Sequence, residues 1–216
     1  MTESAPLAVI TGASGRLGSV AVEGFLQAGY RVVGLDRSSG AQDATPVLAV
    51  DATSEDSVTR VFEEIRTSYG TPSVIIHTVG MWAMQPFAET ELDAWQTMMD
   101  VNLTSSFLIF REGVRMMKET GGTLIGICSQ QGSVRGTAQQ AAYSASKAGV
   151  KRLVEAIGAE YAGTGLTAHA VAPSMILFDG DEGKGVTAND LVEHFLHLAS
   201  PAGASLNGDT LHAFGD

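Results

Sequence analysis

Tyr143 and Lys147 stand four positions apart in AAYSASKAG (141–149), and every other residue of the nine is Ala, Ser or Gly. On a helix that spacing sets both side chains on one face, a turn apart. A phenol beside a cation can move a proton: a free tyrosine titrates near ~10, and an adjacent positive charge favours the phenolate and lowers that value. The small neighbours leave room for something broad to lie against the same face. Taken alone, the stretch equally describes a solvated lysine beside a helix contact made of small residues. The choice rests on what the rest of the chain builds around it.

Short apolar runs alternate with longer amphipathic ones along the chain. LAVIT (7–11), YRVVGLD (30–36), PVLAV (46–50), SVIIH (73–77), GTLIGIC (122–128) and LTAHAVA (166–172) predict strands, several of them apolar throughout, as in a sheet covered on both faces. Helices are expected over 15–29, 54–69 with Ser54 as its cap, 91–119, 139–162 and 187–199, the last opening on VTAND. Strict β–α alternation implies right-handed crossovers and helices on both faces of a parallel sheet. The expected fold is α/β: a single doubly wound sheet spanning 1–216, without linker or repeat. Such a sheet binds ligands beyond the carboxyl ends of its strands.

Composition sets the outer bounds. A chain of 216 residues, 44% hydrophobic with six prolines, suits one domain with a sizeable core. No run is long enough to span a membrane, and LAVIT is too short and lacks the basic flank of a signal peptide. The single cysteine, Cys128, excludes an internal disulfide framework and fits a cytoplasmic setting. A formal net charge of −11 speaks against nucleic acid and anionic membrane surfaces as partners. No metal site is expected.

The loop after the first strand reads TGASGRLG (11–18). Gly12, Gly15 and Gly18 could form a tight turn, admit a pyrophosphate close to the backbone and let the next helix pack on the sheet. A glycine-rich turn alone is weak evidence. It gains force from Asp36 at the end of the second strand, where a carboxylate can accept hydrogen bonds from an adenosine ribose. The plain alternative is a turn residue before Arg37, Ser38, Ser39 and Gly40. A carboxylate pairs with a free ribose and repels a 2′-phosphate, so NAD is expected, with Arg37 and Arg16 as the grounds for NADP.

With these signals in order, the chain resembles the short-chain dehydrogenase/reductase family, marked by a Gly-rich turn, an Asn, a Ser and a Tyr-x-x-x-Lys pair. The resemblance runs from LAVIT to GDTLHAFGD, which is similar to the last strand of such proteins. It implies a Rossmann-type fold and a nicotinamide cofactor. Asp51 matches the acidic residue at the adenine, Pro173 the proline beside the nicotinamide, and Ser14, Arg16, Leu17, Ala52, Thr78 and Gly80 are further cofactor contacts. Asn102, in NLTSSF, is expected to kink the long helix and carry a proton-relay water on its backbone. Tyr143 would be the acid/base of a hydride transfer, Lys147 its electrostatic partner and the holder of the nicotinamide ribose, and Ser129 the donor that holds the substrate oxygen. Substrate contacts are expected from Met81, Trp82, Ser129, Gln130 and Met175, with Met81, Trp82, Met84 and Phe87 either a substrate wall or core.

The chain departs from the family at several points. Relatives usually place the serine thirteen residues before the tyrosine; here Gln130 holds that place and Ser129 lies one earlier. The pattern Ser-x-x-Gly at Ser129 and Gly132 favours Ser129, with an extra residue in 132–142. Gly15 takes over from the glycine usual at the position of Arg16. HTVG (77–80) replaces Asn-Asn-Ala-Gly, with His77 expected to be structural, as Cys128 is expected to be core. Only SMILFDGDEGKG separates Pro173 from VTAND, so the helical lid common in relatives has no room over 174–186. A shallow cleft bounded by Met81, Trp82, Met175 and Phe178 is expected.

The expected function is an NAD(P)-dependent oxidoreductase acting on a secondary alcohol or ketone. Alternatives are a pteridine reductase or epimerase-like enzyme on the same fold, or a non-catalytic dinucleotide-binding sensor or scaffold, which Tyr143, Lys147 and Asn102 disfavour. The resemblance further implies a homodimer or homotetramer, with LIFREGVRMM as a candidate contact and the face of Val150, Leu153, Val154 and Ile157 either a second contact or entirely internal.

Overall fold

The computed structural model describes residues 5–42 and 45–215. Its main sheet is built from β1 (Leu7–Thr11), β2 (Arg31–Asp36), β3 (Gly40–Gln42), β4 (Thr45–Ala49), β5 (Val74–His77), β6 (Gly122–Ile127), β7 (Leu166–Pro173) and β10 (Thr210–Ala213). A separate parallel ribbon pairs β8 (Ile176–Leu177) with β9 (Val186–Thr187). The main order is β10-β7-β6-β5-β1-β2-β4-β3, parallel throughout except for β3, which runs antiparallel to β4. From β1 the chain winds one way through β2 to β4, and then the other way through β5, β6, β7 and β10. The winding reverses beyond Thr11 and His77, adjacent in register at the carboxyl ends of β1 and β5, and a crevice opens there.

Alternation along each strand sorts residues between two cores. On one face Val9, Val33, Ile75 and Leu124 meet Val58, Phe62 and Ile65 of α2 (Glu55–Ser68), Ile109 and Phe110 of α4 (Ser105–Met117) and Val154 of α6 (Ala141–Glu160). On the other, Ile10, Val32, Ile76 and Ile125 meet Val22 and Phe25 of α1 (Arg16–Gln27) and Leu191 and Phe195 of α7 (Ala188–Ala199). Apolar strand runs are thus explained by cover on both sides. A Cβ on Gly24 of α1 would come within 2.4 Å of Val192, so these two helices touch where a side chain is missing.

The long helix expected over 91–119 is two helices in series: α3 (Leu92–Met99), a wide π-type turn at Asp100–Thr104, and α4. The turn is supported by consecutive serines. Ser105 Oγ donates to Val101 O at 2.6 Å and Ser106 Oγ to Asn102 O at 2.7 Å, so carbonyls displaced from regular α-helical bonding keep partners. The face of Val150, Leu153, Val154 and Ile157 is not a free surface. Val150 and Val154 are fully buried, and Leu153 and Ile157 pack against the core; a helix lying on a sheet needs its apolar stripe there. On α4, Phe107 keeps the exposure that Leu108, Ile109 and Phe110 lack. Among the described residues no helix is long and apolar enough to cross a membrane.

Candidate active site

The crevice has two compartments. The first, about 430 Å³, is bounded by the 11–18 turn, Asp36, Arg37, Asp51 and Ala52. Gly12 takes φ 65°, in the left-handed region that favours glycine. Gly18 is required by proximity: a Cβ there would lie 2.0 Å from Gly12 O. Removing those side chains brings the first turn of α1, with its unpaired backbone N–H groups, to the groove wall. Asp36 is held at both oxygens, accepting from Ser14 N at 2.8 Å and from Arg37 N at 2.7 Å. Two backbone donors fix that carboxylate and leave lone pairs free to accept hydroxyls. Asp51 accepts from the hydroxyl and the N–H of Thr53, bonds that hold its carboxyl below the usual range. These residues fit the adenosine and pyrophosphate of a dinucleotide. Arg16 is engaged elsewhere: its guanidinium lies 2.9 Å from Asp181 and 4.0 Å above the ring of Phe178. Phe178, expected on the cleft wall, is the platform beneath Arg16.

The second compartment, about 1030 Å³, holds Tyr143, Lys147, Gly80, Met81, Gln130 and Pro173 among its walls. α6 presents Tyr143 and Lys147 together. Lys147 is buried, and its Nζ donates to Ile127 O at 2.7 Å, pinning α6 to the end of β6. Burial without a counter-charge lowers its pKa to about 8. Tyr143 moves the other way. Burial pushes the phenol above its ordinary value and outweighs the opposing effect of the nearby Ser129 hydroxyl.

Ser129 faces the Tyr143 phenol, and Gln130 lies outside that contact as the first residue of α5 (Gln130–Ser133). Ser129 also caps α5, its Oγ accepting from Gly132 N at 3.1 Å. A Cβ on Gly132 would sit 2.6 Å from Lys147 Cβ, so the Ser-x-x-Gly pattern reflects α5 resting on α6 beside the lysine. Asn102 is buried in the wide turn. Its Oδ1 accepts from Met81 N at 2.8 Å and its Nδ2 donates to Met81 O at 3.0 Å and Ser146 Oγ at 2.9 Å, joining the loop after β5 to α6. Its backbone carbonyl accepts from Ser106 Oγ at 2.7 Å. A Cβ on Gly80 would lie 3.1 Å from Lys147 Nζ and 3.2 Å from Asn102 Oδ1; a side chain there would fill the space over the lysine.

His77 is a brace. Thr78 N donates to Thr11 Oγ1, which lies 2.8 Å from His77 Nδ1; His77 Nε2 lies 2.9 Å from Ser105 Oγ, itself donating to Val101 O. Each donation fixes the next, so the proton is on Nε2 and the Thr11 hydroxyl donates to Nδ1. Burial, aided by the Lys147 charge, lowers the His77 pKa to about 3 and keeps the ring neutral. Thr78 Oγ1 donates to Thr11 O at 2.6 Å, which locks the strand end that carries Gly80. Cys128 is buried beside Ser129, as expected of a core residue.

Trp82 and Met175 stand at the rim, 57% and 62% exposed. Residues the sequence reading passed over also line the cleft: Gln140, Lys184, and Phe214 and Gly215 near the end of the chain. Gln140 had a usable signal, a polar pair at the first turn of the helix that carries Tyr143. Lys184 and the terminal pair had none, since loop closure alone brings them in.

The short chain dehydrogenase family model matches residues 6–185. The chain belongs to that family. The chain is 30% identical to a 3-oxoacyl-[acyl-carrier-protein] reductase of Vibrio cholerae, with 97% of this chain and 96% of the relative aligned. It is 24% identical to the D-threitol dehydrogenase of Mycolicibacterium smegmatis, over 95% and 90% of the two chains. Among solved structures, the ligand-free aldohexose dehydrogenase of Thermoplasma acidophilum superposes with a TM-score of 0.88 at 22% identity, covering 98% of this chain and 93% of that one. The protein is thus an NAD(P)-dependent oxidoreductase with a Rossmann-type sheet.

Proposed function

We propose that the protein interconverts a secondary alcohol and a ketone with Tyr143 as acid/base, prefers NAD(H), and works as a homo-oligomer. The observation that carries this reading is that Tyr143 and Lys147 line one cleft that adjoins the Asp36 groove, with Ser129 buried beside the phenol and Asn102 buried behind Gly80. Relatives named for 3-oxoacyl, threitol and aldohexose substrates all act on carbonyl or alcohol carbons, which supports the substrate class.

The nicotinamide, when bound, supplies or accepts the hydride. Ser129 holds the substrate oxygen, and Tyr143 gives it a proton in reduction or takes one in oxidation. The Tyr143 pKa lies high in the protein alone, which suits the donor role at neutral pH. Lys147 would hold the ribose next to Gly80, and its ammonium stabilises phenolate once the proton leaves. Asn102 fixes the loop at Met81, and its backbone carbonyl would hold a water that returns a proton towards Lys147. Asp36, with no phosphate-binding cation beside it from Arg16, favours a free ribose.

The test is oxidation of NADH and of NADPH against a panel of ketones, with the matching alcohols run in reverse. Carbonyl-dependent turnover, faster per molar cofactor with NADH, is expected. Tight cofactor binding with no turnover on any carbonyl would replace this reading with a non-catalytic dinucleotide-binding role.

A further inference from the structure

A side cavity of about 200 Å³ lies behind Tyr143, between the loop after β5, α3 and the start of α6. Small and apolar groups from Ala94, Thr97 and Met98 form much of its wall, with the Asp93 carboxylate on one side. Met81, Gln140 and Tyr143 line both this cavity and the main cleft, and so form the partition between them. Gln140 is 7% exposed, yet its side-chain Oε1 has no hydrogen-bond partner among the described residues. Buried amide oxygens are rarely left so.

The backbone around Gln140 is, by contrast, fully used. Its N–H donates to Thr137 O at 3.1 Å, and its carbonyl accepts from Ser144 N at 2.8 Å. Gln139, the one non-glycine residue at positive φ among those described, adopts φ 61°, and its carbonyl accepts from Gln85 N at 2.7 Å. A strained residue held by the loop after β5 thus turns its neighbour inward, an arrangement that persists only where the surroundings enforce it.

We propose that Gln140 and this cavity form a subsite for a hydroxyl on the carbon next to the reacting one, so that the substrate is a vicinal diol in one direction and an α-hydroxy ketone in the other. This rests on the alcohol/ketone reading above. A hydroxyl both donates and accepts, so it satisfies the carboxamide whichever way the amide is turned. A hydrocarbon satisfies neither end, and Asp93 repels an anionic substituent. The cavity is large enough for a hydroxymethyl or hydroxyethyl arm, while the other substituent of the carbonyl carbon extends past Trp82 and Met175. In oxidation the carbinol carbon loses a hydride to the nicotinamide and its hydroxyl loses a proton to Tyr143. The neighbouring hydroxyl is unchanged and stays on Gln140.

Hydroxyacetone and butanone, which differ by a hydroxyl in place of a methyl, are the probes. For wild-type holoenzyme and Gln140→Met, the quantity is the ratio of kcat/KM for the two ketones, so that intrinsic reactivity cancels between proteins. The ratio is expected to fall about 10- to 100-fold in the variant, because a buried amide is no longer left unpaired by butanone. A far-UV circular dichroism spectrum and an NADH affinity matching wild type are the control for folding. Gln140→Asn, which shortens the amide, should give a smaller fall and serves if the Met variant does not fold. An unchanged ratio with both ketones turned over overturns the subsite and leaves the proposed function standing. If wild type reduces neither ketone, the wider ketone panel decides the proposed function and calorimetric binding decides the subsite: propylene glycol should bind the NADH complex more tightly than sec-butanol, with the difference lost in Gln140→Met. Equal binding, or none, overturns it.

Discussion

The two compartments of the crevice are built differently. On the dinucleotide side almost every polar group is fixed by backbone: Asp36 by two N–H groups, Asp51 by Thr53, and Thr78 by Thr11. On the substrate side, Trp82, Met84 and Phe87 lie 57%, 50% and 77% exposed, and the segment after β7 contributes only two-residue strands and bends. One surface is prepared before its ligand arrives. The other leaves most of its selectivity to a few side chains. Leu17, Thr78 and Gly80 line both compartments, whereas Tyr143 lines the substrate side alone, so changes at Tyr143 and beyond it should spare the dinucleotide groove.

The largest effect is expected at Tyr143. Tyr143→Phe removes the proton path and leaves the dinucleotide groove intact. Turnover should drop by ~10³-fold or more, with NADH affinity by fluorescence titration nearly unchanged; retained turnover would break the assignment. Next comes Ser129→Ala, with a loss on the order of 10²-fold in kcat. Gln130→Ala should change kcat by less than about tenfold, because that side chain lies away from the phenol. A damaging Gln130→Ala beside a mild Ser129→Ala would reverse the order of the two residues.

A paired measurement sharpens the contrast between compartments. Asp36→Ala should reduce the preference for NADH over NADPH by roughly tenfold, read as the ratio of dissociation constants, without altering the order of substrates. Trp82→Ala should do the reverse, shifting relative kcat/KM among ketones by about tenfold or less with cofactor affinity held. If Asp36→Ala reorders the ketones, the compartments are coupled and the division is wrong.

The smallest expected effect concerns stability. His77 has a folded pKa of about 3 against an ordinary 6.5. Above 6.5 both folded and unfolded chains hold it neutral. As pH falls from 6.5 towards 3, only the unfolded chain takes up the proton, so stability drops, by at most about 1.4 kcal/mol per pH unit. Urea denaturation at several pH values should show His77→Gln with a shallower acid slope than wild type. Equal slopes would mean that the buried ring already binds its proton.

How much of this was legible in the sequence follows from how each feature is encoded. Continuous apolar runs gave the six inner strands, since two-sided burial leaves no other residue type. β3 and the β8–β9 ribbon are too short to show a period. The Gly-rich turn and Asp36 were readable because loop order and strand ends place them, but the two amides that hold Asp36 depend on three-dimensional closure. The apolar stripe of Val150 and Val154 was taken as a candidate surface because one sequence stripe can face a core or a partner alike. Phe178 was misassigned for a related reason: an aromatic in a short loop goes to whichever cation reaches it, here Arg16. The direction of the Tyr143 shift could not be read at all, because it turns on the depth of burial against the nearness of the Ser129 hydroxyl, which only coordinates supply.

The wide turn at Asp100–Thr104 has a consequence of its own. An α-helix advances about 100° per residue, so an added residue offsets the angular phase of everything before it relative to everything after. α3 and α4 are therefore two rods on nearly one axis whose faces are indexed separately: Asp93, Ala94 and Thr97 look into the side cavity, while Leu108, Ile109 and Phe110 look into the sheet. Tightening 100–104 into regular α-helical bonding with no residue removed would leave an unbroken and locally more regular helix, yet turn α3 about its axis. Helicity would survive, and the address of every side chain that α3 delivers would be lost.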